Sequence, residues 1–95
     1  MQENICLHTI IEGHVQGVGF RYYVLQKADE LGVVGWARNT YLGQVEVLAE
    51  GDQAKLEKLL AYLRTGPRSS FVSEIKPKWG KASGRFSNFS IKPTV

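Results

Sequence analysis

Ninety-five residues, 43% hydrophobic and 22% charged, suffice for one domain with one modest core. The net charge is +3, the single cysteine (Cys6) excludes an internal disulfide, and no apolar run approaches the roughly 18 residues of a membrane span. The start, Met1-Gln2-Glu3-Asn4, lacks the basic and apolar regions of a signal peptide, so one cytoplasmic domain over residues 1–95 is expected.

Residues 5–12 are rich in β-branched and apolar types and predict a central strand. Gly13-His14-Val15-Gln16-Gly17-Val18-Gly19 holds three glycines in seven residues and predicts a loop. From Phe20 the period changes: Phe20, Val24, Ala28 and Leu31 lie on one helical face, and Gly32 stands where a glycine ends a helix. Val33 to Thr40 reads as a second strand, Tyr41-Leu42-Gly43 as a turn, and the alternating Gln44 to Glu50 as the other arm of a hairpin. Asp52 is the expected N-cap of a second helix, with Leu56, Leu59, Leu60 and Leu63 as its buried stripe and Gly66-Pro67 as its stop. Phe71 to Trp79 predicts a fourth strand and Phe86 to Ile91 a short final one. The order predicts an α+β, ferredoxin-like βαββαβ sandwich with an antiparallel sheet covered on one face by two helices. Fold alone does not assign a function.

The segment with most chemistry is Gly13 to Arg21. A glycine loop between a strand and a helix can turn backbone N–H groups inward, and the helix start adds free N–H groups and a positive dipole end. Arg21, in the first helical turn, brings a planar fork that suits a phosphoryl group. The bland alternatives are a tight turn and a surface ion-pair arginine. The Walker pattern is absent, and Tyr22 stands where the dinucleotide pattern needs its third glycine. Asn39, near a strand end, reads either as turn chemistry or as an amide that holds a water.

Ile11-x-Gly13-x-Val15-Gln16-Gly17-Val18-x-Phe20-Arg21 resembles the first signature of the acylphosphatases. Gly35-Trp36-Ala37-Arg38-Asn39-x-x-x-Gly43-x-Val45-x-x-x-x-x-Gly51 resembles their second, separated from the first by thirteen residues. The resemblance implies hydrolysis of acyl phosphates to carboxylate and phosphate without metal or cofactor. It implies that Arg21 binds the phosphoryl group and that Asn39 orients the attacking water. The stretch Val15, Gln16, Gly17, Val18, Gly19 and Phe20 would supply backbone N–H groups to the phosphate. Inorganic phosphate is then product and competitive inhibitor, and the chain is expected to act as a monomer on a small-molecule substrate. Gly19 is compatible with the pattern but is expected to loosen the loop slightly. His14 takes a slot where a basic residue is common.

Other residues read as packing: His8 as a hydrogen-bonded strand histidine, Tyr22 and Tyr23 as core-edge residues, Trp36 as packing, Trp79 as a cap on the sheet edge, and Cys6 as buried and inert. His8 and His14 have no cysteine or carboxylate cluster at ligand spacing, which gives no support to a metal site. Residues 64–95 carry seven basic residues against Glu74, while residues 1–63 carry five basic and eight acidic ones. A solvated basic surface is the simpler reading of that asymmetry. RNA-recognition domains share the element order, but their aromatic strand signature is missing and no nucleic acid is expected. Similar domains also open a larger hydrogenase-maturation protein, where the phosphate pocket would serve a regulatory role; the length of 95 residues favours a free-standing enzyme.

Overall fold

A computed structural model describes residues 3–95; Met1 and Gln2, part of the N-terminal stretch read above, lie outside the described residues. The elements are β1 (Ile5–His14), α1 (Phe20–Leu31), β2 (Val34–Asn39), β3 (Val45–Gly51), α2 (Gln53–Thr65), β4 (Phe71–Lys81) and β5 (Phe89–Ile91). One sheet contains all five strands in the order β4-β1-β3-β2-β5. Alternation selects its buried face: Leu7, Thr9 and Ile11 of β1 and Val45, Val47 and Ala49 of β3 are fully buried. Phe20, Val24 and Ala28 of α1 and Leu56, Leu59 and Leu63 of α2 complete that core. Burying each leucine contributes roughly 2 kcal/mol. The caps follow the sequence: Asp52 accepts from the Lys55 N–H at 2.9 Å, and Gly32 ends α1 in a left-handed conformation.

Three expectations need correction. The sheet is mixed, because β5 runs parallel to β2 while the other pairings are antiparallel. The reason lies in the return path. β4 ends at the sheet end where β1 starts, with Ile5 opposite Lys81. Residues 82–88 cross that end, so the last strand must begin there and run alongside β2. Glu50 holds the crossing by accepting the Ser83 and Gly84 N–H groups at 2.8 and 3.1 Å. Burial pushes its carboxyl up, but these bonds and the Arg85 charge outweigh burial and keep it low. The last strand itself begins at Phe89 rather than Phe86.

The third correction is that β1 does not stop at Glu12. It continues through Gly13 and His14, which pair with Val72 and Phe71 after a register shift between Glu12 and Gly13. Glycine here serves a β-bulge instead of ending the strand. Its φ is +130°, and an added Cβ would sit 2.0 Å from the Phe71 carbonyl oxygen. Gly13→Ala is therefore expected to cost at least about 2 kcal/mol of stability, combining backbone strain with a steric overlap. A lower urea midpoint at unchanged m-value measures it, and an unshifted midpoint would mean that the bulge relaxes freely.

Candidate active site

The loop left between β1 and α1 is Val15–Gly19. Its two ends are anchored in the core, since Val15 and Phe20 are buried. Between them the backbone alternates, with Gly17 at φ +73° and Gly19 at φ +77°. Left-handed residues in a loop are one means of turning neighbouring N–H groups to one side, the geometry of an anion nest. At Gly19 a side chain would cost about 1–2 kcal/mol; the glycine thus fits the turn rather than merely loosening it.

Gly19 is also the N-cap of α1, and the Tyr23 N–H donates to its carbonyl at 3.0 Å. The N–H groups of Phe20, Arg21 and Tyr22 thus precede the first intrahelical bond and face the loop end of the helix. No acidic residue occupies this first turn, so nothing there competes for the dipole's positive end. Arg21 is half-buried in that turn. Among the described residues, it takes part in none of the ion pairs.

Asn39 is the last residue of β2, paired with Val45 of β3. Its backbone carbonyl accepts from the Val95 N–H at 3.2 Å, and the Tyr41 N–H donates to the Val95 carbonyl at 2.7 Å. The side-chain oxygen Oδ1 is buried without a hydrogen-bond partner among the described residues; Thr9 Oγ1, inside the core, is in the same position. An unsatisfied buried acceptor costs about 1–3 kcal/mol.

The loop and the Asn39 strand are tied together. Gln16 Nε2 donates to the Thr40 carbonyl and to the Gln44 carbonyl, both at 2.8 Å. Thr40 in turn closes the hairpin: its Oγ1 accepts from the Leu42 and Gln44 N–H groups at 3.3 and 3.2 Å. Sequence reasoning placed Gln16 in the loop for its backbone and named Thr40 and Gln44 only as strand ends, not as site residues. Polar residues on both sides of the turn were the available signal. Two open clefts lie elsewhere: one of about 440 Å³ lined by Glu3, Ile5, Gln53, Ala54 and Glu57, the other of about 250 Å³ lined by Arg64, Val72, Ser73, Glu74 and Ile75.

The remaining singled-out residues have structural partners. His8 Nε2 lies 2.6 Å from Glu46 Oε2, and Arg38 Nε donates to Glu46 Oε1 at 2.7 Å, all on the sheet face away from the helices. The Arg38 guanidinium covers the Trp36 ring at 4.4 Å. Tyr23 packs edge-on against Phe20, but Tyr22 is 66% exposed and not a core-edge residue. Cys6 is half-buried rather than buried; desolvation and the Glu50 charge push its thiol up, away from reactivity.

Burial pushes the Glu46 carboxyl up, yet the bonds from His8 and Arg38, with their charges, outweigh it and hold it below the ordinary glutamate value. A carboxyl lowered by folding adds stability above its unfolded value, and that stability is lost as pH falls through the folded one. Glu46→Gln is expected to flatten this part of the acid limb of the stability curve. Denaturant midpoints measured from pH 6 downward test this, and an unchanged acid limb would count against the network.

Together these features define a class: a ferredoxin-like α+β domain with a loop of left-handed glycines where a helix starts. The family is defined by comparison. The acylphosphatase family profile matches residues 7–91. An acylphosphatase from Caldanaerobacter subterraneus subsp. tengcongensis is 45% identical, covering 90% of this chain and 94% of that protein. The crystal structure of acylphosphatase from Bacillus subtilis superposes with a TM-score of 0.90 at 35% identity, covering 93% of this chain and 98% of that one. Full-length HypF, in its phosphate- and nucleotide-bound form, superposes with a TM-score of 0.89 at 24% identity over 99% of this chain and 12% of that one, a likeness of fold alone. The chain belongs to the acylphosphatase family.

Proposed function

We propose that this chain hydrolyses acyl phosphates with three groups of its own. The N–H groups of the loop Val15–Phe20 cradle the phosphoryl oxygens, Arg21 clamps them, and Asn39 holds the attacking water in line. The observation that carries this reading is the junction itself: a helix start bearing an arginine that has no ion pair among the described residues, joined through Gln16 to the strand end that bears Asn39. The orphaned Asn39 Oδ1 supplies an acceptor for a water hydrogen.

The chemistry suits so spare a site. The water oxygen forms a bond to phosphorus as the bond from phosphorus to the acyl oxygen breaks, and its electron pair leaves on the carboxylate. The conjugate acid of that leaving group has a pKa of roughly 4, so no general acid is needed. The transition state is loose, with charge spread over equatorial oxygens that the cradle and Arg21 face. Asn39 takes no proton at neutral pH; it orients. One water proton stays with the new hydroxyl of the phosphate, and the other passes to a phosphate oxygen or to solvent. The reading needs neither metal nor cofactor, and among the described residues no group of three or more His, Cys, Asp or Glu is placed to hold a metal. It includes a monomer in the cytoplasm, with inorganic phosphate as competitive inhibitor. No helix among the described residues is long and apolar enough to cross a membrane.

Hydrolysis of benzoyl phosphate, followed by ultraviolet absorbance with EDTA present and inorganic phosphate as competitor, tests it. Rapid turnover that is insensitive to EDTA and competitively inhibited by phosphate is expected. A folded sample without turnover would reduce the cradle to a binding site.

A further inference from the structure

We propose that Gln16 is a positioning residue whose carboxamide fixes the phosphate loop relative to Asn39, so that the held phosphoryl group and the held water stay in line. The proposal rests on the reading of Arg21 and Asn39 given above. Its ground is the double donation from one nitrogen. Both hydrogens of Gln16 Nε2 are used, one on the Thr40 carbonyl and one on the Gln44 carbonyl, each at 2.8 Å. Thr40 follows Asn39 directly, and Gln44 precedes Val45, the cross-strand partner of Asn39. The two carbonyls therefore bracket the strand end that aims the Asn39 side chain.

The receiving turn is itself closed. The Thr40 N–H donates to the Gln44 carbonyl at 2.9 Å, and the Gly43 N–H donates to the Thr40 carbonyl at 3.1 Å. Each carbonyl thus serves two donors and has both lone pairs occupied. The loop's other anchors are apolar: Val15 and Phe20 pin its ends and Val18 packs against the core, while Gly17 and Gly19 have no atom within 4 Å of a built Cβ. Gln16 is half-buried, so its bonds are partly shielded from competing water.

Glutamine also fits by elimination. Asparagine is one methylene shorter. Glutamate, when ionised, has no donor and would face two carbonyl oxygens. Methionine matches the length and shape but donates nothing. A clamp set before substrate arrives adds its effect only where two groups must be aligned, which is the transition state. Its loss is therefore expected in kcat and not in the affinity for phosphate.

The test uses the full chain as wild type, Gln16→Met, Gln16→Glu, Asn39→Ala and the Gln16→Met/Asn39→Ala double variant. Benzoyl phosphate turnover, inhibition by inorganic phosphate and the folded circular dichroism spectrum are measured for each. Gln16→Met is expected to lower kcat by about tenfold or more, with phosphate inhibition within about threefold of wild type. The double variant should lose less than the product of the two single losses, because the clamp acts through Asn39. Gln16→Glu should regain activity, as a ratio to wild type at the same pH, as its carboxyl becomes protonated and supplies one donor. A residue that merely stabilises the fold would give additive losses and a ratio flat with pH. That result, or Gln16→Met and Gln16→Glu with unreduced kcat while Asn39→Ala is impaired, overturns the proposal. Undiminished turnover in Asn39→Ala sinks the water-orienting reading on which it rests.

Discussion

Arg21→Ala is expected to lower kcat/KM for benzoyl phosphate by roughly 10²- to 10⁴-fold and to weaken inorganic phosphate as an inhibitor. The magnitude follows from the contacts proposed for the arginine: two charge-assisted hydrogen bonds of about 1.5–3 kcal/mol each, at about 1.4 kcal/mol per factor of ten. Both ground-state and transition-state binding suffer, because a phosphoryl group is anionic throughout the reaction. Arg21→Lys restores the charge without the fork, so part of the phosphate affinity returns while the rate recovers less. Steady-state kinetics with phosphate as competitor separate the two. An Arg21→Ala variant that still binds phosphate as wild type does would remove the arginine from the phosphoryl site.

Asn39→Ala is expected to divide the effects differently. Its kcat falls by about a hundredfold, the scale of losing alignment at a reacting centre, while phosphate inhibition stays within about twofold. The side chain lies at the end of β2, with its Oδ1 unpartnered, so truncation breaks no hydrogen bond of that oxygen among the described residues. Loss of fold is thus not the expected cause of a lower rate, and the denaturant midpoint checks this. Full activity in the variant would show that the water is held elsewhere.

Most elements were legible because local patterns coincide with the tertiary ones. The alternation of Val45, Val47 and Ala49 and the four-residue spacing of Phe20, Val24 and Ala28 are also the buried sets. Asp52 and Gly32 read correctly as helix ends because capping is a property of a few adjacent residues. The misreadings concern partners far along the chain. Gly13 resembles a loop glycine until Phe71, fifty-eight residues later, is seen to press its carbonyl against it. Nothing local distinguishes a parallel from an antiparallel β5, since its sense is decided by the crossing that Glu50 anchors. At the site, Arg21 and Asn39 were nominated by motif positions within a family resemblance. The Gln16 clamp spans 24 and 28 residues and leaves no periodic trace.

The position of β4 in the sheet bears on how this molecule behaves in company. At eleven residues, β4 is a long outer strand with backbone groups open to pairing with another chain. Its sequence blunts that invitation. Pro77 offers no N–H to an incoming strand, Lys76 stands between Glu12 and Glu74, and Lys78 and Lys81 are exposed. Stripping their hydration to let two such edges meet would be unfavourable, and like charges would face each other across the seam. The opposite rim, β5, is only three residues long and gives an intruder little to zip against. Lys78 and Lys81, two of the seven basic residues of the last third, thus stand where charge opposes edge-to-edge association.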